Sequence, residues 1–385
     1  MKYDNIGKYV KLSQGLAINK ASEDLVSDYK TEEFCYPLLR IADMMTNEYS
    51  KFISKQVNHN VIADKDDIIY TRTGQIGLAF RGYHGVVHNN CFIVELKSDE
   101  LTKDYLYCIL KSSFVREQAL KFSKSSVQPD LTHEMFKDII IPIPSLPIQT
   151  KISKILLNIE NKVDNNNFII NKFEKMIDLL FDYKFLQNNN ESLEYEYNDK
   201  LARKIPKAWD VVKISSIAQI NAGGDKPKIF SIYKTNECNI PIYSNGSDNM
   251  GLYGFTNKAT KPKNSITVSA RGNIGYTVLR KEDFVPVIRL ITLIPNNPNM
   301  VEYIANYLKK INFSKNGSIQ QQLVVPQISD LDILVPDIES INFYHDKTKN
   351  IYEKIYYLQK ENNSLENYKD FIFPMLINGQ IKIED

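Results

Sequence analysis

Two segments almost 200 residues apart repeat one another, and a repeat decides architecture before any single element does. Asp67-Ile-Ile-Tyr-Thr-Arg-Thr-Gly-Gln-Ile-Gly77 is an apolar strand running into an arginine and a paired-glycine turn, and Ser265-Ile-Thr-Val-Ser-Ala-Arg-Gly-Asn-Ile-Gly275 repeats it. Each copy precedes a second β-rich run, Val86 to Leu96 and Phe284 to Ile294, and then an amphipathic helix, Lys103 to Leu120 and Met300 to Lys310. A polar Ser/Gln loop follows, at 125–128 and 317–322. Next comes an apolar strand ending in proline, Ile139 to Pro142 and Ile333 to Pro336. Six features in one order at a nearly constant offset make the chain a tandem duplication.

After each closing proline runs a long heptad stripe. Ile148, Ile152, Ile155, Ile159, Val163, Asn166, Ile170, Phe173, Ile177 and Leu180 recur at threes and fours, without proline or glycine, across 148–180. The second stripe holds Ile341, Tyr344, Thr348, Ile351, Ile355, Leu358, Asn362, Leu365 and Ile372. Seams this long and narrow suit a partner helix better than a broad core, so the two are expected to pair antiparallel within the chain. Asn166 and Asn362 are expected to set register as buried polar seam residues.

The expected fold is α+β, with two repeated α/β domains, a pseudo-two-fold, and an intramolecular coiled coil. The boundaries expected are a first domain over 1–145, a long helix over 146–187 and a linker over 188–204. A second domain over 205–337 and a second long helix with a tail over 338–385 complete the chain.

Charge separates the halves. Residues 1–145 hold 18 Lys and Arg against 19 Asp and Glu, a net of −1; residues 200–337 hold 18 against 10, a net of +8. A basic segment suits a polyanion. No apolar run approaches the ~20 residues of a membrane span, and the polar start from Met1 to Asn5 is unlike a signal peptide, so a cytoplasmic location is expected. Cys35, Cys91, Cys108 and Cys238 show no CxxC pairing and are expected to be reduced thiols, with no metal site.

No catalytic constellation stands out: no phosphate loop, no GxGxxG opening a helix, no Asn/Asp-Pro-Pro-aromatic motif and no HExxH. His84 and His88 are the pair most open to a metal or base role, but a polar surface of a strand or loop accounts for them better. What is present is binding chemistry. Base edges are read by Arg, Lys, Asn, Gln, Ser and Thr, and phosphates by Lys, Arg and exposed amides. Arg72, Thr73 and Gln75 share one glycine turn, with Asn89 and Asn90 on a loop nearby; Arg271 and Asn273 share the other. The polar loops add Lys124, Ser125 and Gln128 in the first half, and Lys315, Asn316, Ser318, Gln320 and Gln321 in the second. Lys226, Lys228, Ser244 and Asn245 lie on further Gly- and Lys-bearing loops.

The chain resembles the specificity (S) subunit of type I restriction-modification systems. The resemblance is carried by Ile205-Pro-Lys-Ala-Trp-Asp-Val-Val-Lys213, Pro241-Ile-Tyr-Ser-Asn-Gly246 with Gly251-Leu-Tyr-Gly254, the Arg271 to Gly275 turn, the Ser/Gln loops, the Leu146–Lys154 helix start and Leu376-Ile-Asn-Gly-Gln-Ile-Lys382. The first half departs from it in lacking the Pro-x-x-Trp opening. The resemblance implies two target-recognition domains, each reading one half of a split, asymmetric double-stranded DNA site, and a non-catalytic role for this chain. It implies docking of two methyltransferase subunits, which bind S-adenosylmethionine and methylate adenine N6, and of restriction subunits using ATP and Mg²⁺; no cofactor is expected in this chain. Two alternatives stand beside it: a specificity chain of a type IIB-like methyltransferase-endonuclease, and a coiled-coil adaptor for proteins. In the favoured reading the helix length sets the unread spacer between half-sites.

Overall fold

The computed structural model describes residues 2–123, 129–187, 193–313, 322–377 and 380–381, with only the backbone of residue 21. The chain divides into two compact units, Met1–Lys162 with Leu365–Asp385, and Val163–Ser364.

Alternating apolar residues bounded by turn signals make the strands, and the same sheet is built twice. In unit 1 a four-stranded antiparallel sheet runs in the order Val10–Gln14, Cys91–Leu96, Ile68–Thr71, Ala79–Phe80. In unit 2 the order is Ala218–Ala222, Ile291–Pro295, Ser265–Val268, Thr277–Arg280. Ile68–Thr71 and Ser265–Val268 are buried at every position, so both faces are covered and the apolar run is continuous. Each unit also pairs an early strand with the proline-bearing strand: Lys2–Asn5 with Ile140–Ile143, and Asp210–Lys213 with Asp332–Val335. Each has one parallel pair, Phe34–Leu39 beside Gly85–Val87, and Ile240–Tyr243 beside Val285–Pro286.

The helix expected from Lys103 to Leu120 is two, Lys103–Leu110 and Ser113–Ser123. Ser112 breaks it by turning its hydroxyl onto the Val115 amide at 3.2 Å, a bond the backbone accepts only at a helix start. In the second unit the helix is Val301–Lys309. The stretch before residue 205 contains a hairpin, Tyr195–Asn198 against Arg203–Pro206.

The long helices are Leu146–Phe181 and Ile338–Ile377. In unit 1, Ile152, Leu156 and Ile159 from early in the first share a core with Ile372, Phe373, Leu376 and Ile377 from late in the second. In unit 2, Ile170, Ile177 and Phe181 share a core with Ile341, Tyr344, Ile351 and Ile355. Early residues meet late ones in both cores, so the pairing is antiparallel. Asn166 donates from Nδ2 to Asn362 Oδ1 at 2.8 Å, and Asn362 donates to Asn167 Oδ1 at 2.9 Å. A buried amide that finds another amide only in one alignment penalises slippage.

Ile148 is a correction to the seam. It is 44% exposed, while its neighbour Gln149 is fully buried. Gln149 accepts from the Thr102 amide and donates to the Glu100 and Pro144 carbonyls. Three backbone groups beside the first helical turn need a polar side chain, so the glutamine turns inward and the isoleucine outward. In unit 2 the Pro-x-x-Trp opening has a related structural task. Trp209 donates from Nε1 to Asp337 Oδ2 at 2.8 Å, and Asp337 Oδ1 accepts from the Ser340 amide at the start of the second long helix.

Candidate nucleic-acid interface

The paired-glycine turns have the same backbone in both units. Gly74 and Gly77 have φ of 74° and 90°; Gly272 and Gly275 have 66° and 87°. The turns close alike, through Gly77 N to Thr71 O and Gly275 N to Ser269 O. A β-carbon on Gly77 would lie 2.6 Å from Arg116 Cγ, and one on Gly275 would lie 2.5 Å from Phe313 Cδ2. Both conformation and space therefore demand glycine. The intervening tips, Gln75 and Asn273, are exposed.

The chemistry hung on this frame differs. In unit 1 the Arg72 guanidinium donates from Nε and Nη2 to the two carboxylate oxygens of Asp130 and from Nη1 to Gln14 Oε1. Gln14 in turn donates to the Asn89 carbonyl at 2.8 Å, and the Arg72 amide donates to the Asn90 carbonyl at 2.8 Å. Arg72, Thr73, Gln75, Asn89 and Asn90 are thus brought together, with Thr73 half-buried in a bridge to Asp130. Only Gln75 and Asn90 of the five are exposed. Gln14, which ties them, is invisible to sequence reasoning, because a strand-ending glutamine carries no distinguishing signal.

In unit 2 the corresponding hub is Asn245. Its Oδ1 accepts from the Ala270 amide at 2.7 Å and its Nδ2 donates to the Ile288 carbonyl at 2.6 Å. Arg271 is exposed and donates from Nε and Nη2 to Gln322 Oε1; Asn273 donates to Ser247 Oγ at 2.6 Å. Ser244 is half-buried and donates its amide to Gly251 O. Lys226 is exposed with its ammonium 4.3 Å over the Phe230 ring, and Lys228 is exposed. Lys124, Ser125 and Gln128, and Lys315, Asn316, Ser318, Gln320 and Gln321, lie outside the described residues.

One turn on this face escaped sequence reasoning. Leu290 N donates to Val287 O, closing a β-turn whose central residues Ile288 and Arg289 have φ of 54° and 64°. Both values are left-handed, a conformation that Asn, Asp and Gly accept and a β-branched residue resists. It is held by Ile288 N to Gly224 O, Arg289 N to Gly223 O and the Asn245 amide. Ile288 is 42% exposed, and the Arg289 side chain is exposed too. The equivalent turn of unit 1 carries Asn89 and Asn90, matched by the Gly15 N to Cys91 O and Gly223 N to Leu290 O bonds, but neither asparagine has the left-handed φ of Ile288 and Arg289.

Not all of the +8 is available to a partner. Arg280 is buried, its guanidinium 3.7 Å from the Tyr243 ring centre, donating to Thr267 Oγ1 and the Met250 carbonyl; burial lowers its pKa to about 10. Lys281 is buried against Glu302, which also bonds His345. Burial also pushes the Cys91 and Cys108 thiols up to about 12, so neither is a poised nucleophile. His84 pairs with Asp64 at 3.0 Å, and among the described residues no group of three or more His, Cys, Asp or Glu is placed to hold a metal ion. No helix among them is long and apolar enough to cross a membrane.

Comparison with known proteins agrees with this duplicated frame. The family described as type I restriction modification DNA specificity domain matches twice, over residues 6–175 and 206–370. The chain belongs to that family. The type I restriction enzyme MjaIX specificity subunit of Methanocaldococcus jannaschii is 24% identical over 345 residues, 84% of this chain and 79% of that one. The MjaVIII specificity subunit of the same organism is 23% identical over 417 residues, 99% of this chain and 92% of that one. The crystal structure of the S subunit of a type I restriction-modification system from M. genitalium shares the fold, with a TM-score of 0.65 at 14% identity, covering 100% of this chain and 96% of that one.

Proposed function

We propose that this chain is the sequence-reading subunit of a type I restriction-modification complex, each unit reading one half of a split, asymmetric DNA site. The observation that carries the reading is one backbone frame presented twice with different side chains. Gln75, Asn89 and Asn90 stand around the first turn; Arg271, Asn273, Ile288 and Arg289 stand around the second. Matching glycine turns place bases at equivalent positions, and different side chains around them select different bases. The two half-sites are therefore unlike each other.

In this reading the chain is a cytoplasmic scaffold with no cofactor of its own. Two methyltransferase subunits supply S-adenosylmethionine chemistry at adenine N6, and restriction subunits supply ATP- and Mg²⁺-dependent cleavage. The basic second unit adds phosphate attraction, which weakens steeply with salt. The test is to map methylated adenines genome-wide with the native gene, without it, and with Arg271→Ala and Asn273→Ala combined. The expected result is a bipartite motif lost without the gene and relaxed in one half only by the double substitution. An unchanged motif in the double variant overturns the placement of the site; a motif that persists without the gene overturns the function.

A further inference from the structure

The turn at Ile288 and Arg289 keeps a strain that its counterpart in unit 1 avoids. Both turns are built on one plan. Leu290 N closes onto Val287 O as Cys91 N closes onto His88 O, and Ile288 N reaches Gly224 O as Asn89 N reaches Leu16 O. A parallel bridge ties each turn to the loop beside it, Val287 with Gly224 and His88 with Leu16. Yet the asparagines of unit 1, which accept left-handed backbone readily, do not adopt it, whereas Ile288 and Arg289 do. Left-handed values at both central positions make the type I′ turn, whose ordinary occupants are Asn, Asp and Gly. Strain held at a surface position where a simple substitution would relieve it points to a task for the side chain rather than for the fold.

The backbone of the turn is fully engaged within its unit. The amides of Val287, Ile288, Arg289 and Leu290 all donate to carbonyls, and the Ile288 carbonyl accepts from Asn245. Glycine allows this close approach, since a β-carbon on Gly223 would lie 2.7 Å from the Pro286 carbonyl carbon. Two side chains remain for a partner: Ile288, 42% exposed, and Arg289, exposed and without a side-chain partner among the described residues. The Asn245 side chain that holds Ile288 also accepts from the amide of Ala270, the residue before Arg271. The aliphatic tip and the Arg271 turn therefore share one surface. Around it the exposed Arg271, Arg289, Lys226 and Lys228 outnumber the exposed Asp225 and Asp248, so this surface attracts a polyanion.

We propose that Ile288 is a wedge that enters the second half-site between two stacked base pairs, with Arg289 in the minor groove beside it. The proposal deepens the split-site reading above and rests on it. Aliphatic side chains inserted from the minor groove, with arginine beside them, unstack a base step and kink the duplex. A wedge must not yield when pressed against the stack, and a turn with every amide bonded and its conformation preset does not yield. The step entered is a flexible pyrimidine–purine step, TA or CA/TG, which is the easiest to unstack. In unit 1 the corresponding residues are polar, with Asn89 half-buried, so the first half-site stays stacked. Unit 1 reads by polar contacts alone, and unit 2 by distortion as well.

The test uses the full chain with its methyltransferase subunits on duplexes carrying the mapped motif. The fluorescent base 2-aminopurine, which brightens when it loses its stacking neighbours, replaces adenine at each pyrimidine–purine step of both half-sites, the methylated adenine excepted. One step of the second half-site should brighten and none of the first. Ile288→Ala should return that step to the level of free duplex and weaken binding about tenfold, while Ile288→Leu should keep both signal and affinity. The side chain is exposed, so both variants should melt with the unsubstituted chain. No brightening in the second half-site, or brightening that Ile288→Ala leaves intact, overturns the proposal. Loss of binding on replacing a thymine there by deoxyuridine, without brightening, also overturns it, by placing Ile288 on a thymine methyl in the major groove. If no bipartite motif depends on this gene, the specificity-subunit reading fails and takes this proposal with it.

Discussion

Arg72 and Arg271 begin from the same sequence signal, an arginine just ahead of a paired-glycine turn, and end in different situations. The Arg72 side chain is 21% exposed and gripped by both oxygens of Asp130 and by Gln14. Arg271 is exposed and donates, among the described residues, to the neutral Gln322. A guanidinium already satisfied by a bidentate carboxylate has little left for a base, whereas one resting on a neutral amide can trade it for guanine O6 and N7. One frame therefore spends its arginine as a brace, and the other leaves its arginine exposed, as the proposed reading of a base requires. A duplicated fold conserves geometry while leaving each side chain's role to its neighbours.

Four measurements test the difference between the two turns. The largest effect is expected at the glycines. Gly275→Ala should cost about 2–3 kcal/mol of stability, because left-handed strain adds to a clash with the packed Phe313 ring. Gly77→Ala should cost about half as much, because the obstruction there is the movable Arg116 side chain. Equal costs in chemical denaturation would show that the two turns are not differently packed.

Next comes the arginine pair itself. Arg72→Ala should destabilise by about 1–2 kcal/mol, since Asp130 is left partly buried and unpaired. Arg271→Ala should stay within about 0.5 kcal/mol while removing about 1–3 kcal/mol of discrimination at one base. Thermal unfolding and half-site selection from a randomised duplex pool separate the two outcomes. A reversed pattern would exchange the roles assigned to brace and reader.

A gain is expected from Ile288→Asn, which places in unit 2 the residue type found at Asn89. Relief of the left-handed strain should stabilise by about 1 kcal/mol, at the expense of selectivity for the second half-site. A melting temperature that does not rise would show that the turn is unstrained.

The smallest effect is with pH. Burial, with the Arg40 charge, holds His88 below the ordinary imidazole value of 6.5, and burial with Arg72 does the same to His133. The unfolded chain therefore takes up these protons first as pH falls. Their stabilisation is complete above 6.5 and declines as pH falls through the lowered folded-state values. Val287 occupies the place of His88 in unit 2, so the decline belongs to unit 1. His133→Gln should flatten the stability profile between pH 5 and 6.5; an unaltered slope would remove His133 from the account.

The sequence by itself determined the duplication, the α+β class, the two long seams and their buried asparagines. Periodicity and glycine spacing report local geometry directly: left-handed φ at Gly74, Gly77, Gly272 and Gly275 is written in the residues. Tertiary structure alone decided which polar groups are spent inside the molecule. Nothing near Arg72 in sequence announces Asp130, 58 residues away, or Gln14, 58 residues before it. Nothing in the heptad pattern tells that Gln149 rather than Ile148 turns inward, because that depends on the unpaired backbone groups of Thr102, Glu100 and Pro144. The left-handed turn at Ile288 is the sharpest case: its residues argue against its conformation, and only bonds from Gly223, Gly224 and Asn245 hold it there. Periodicity is a local property that a chain carries with it, whereas the partner of a polar side chain is a long-range contact that exists only once the chain has folded.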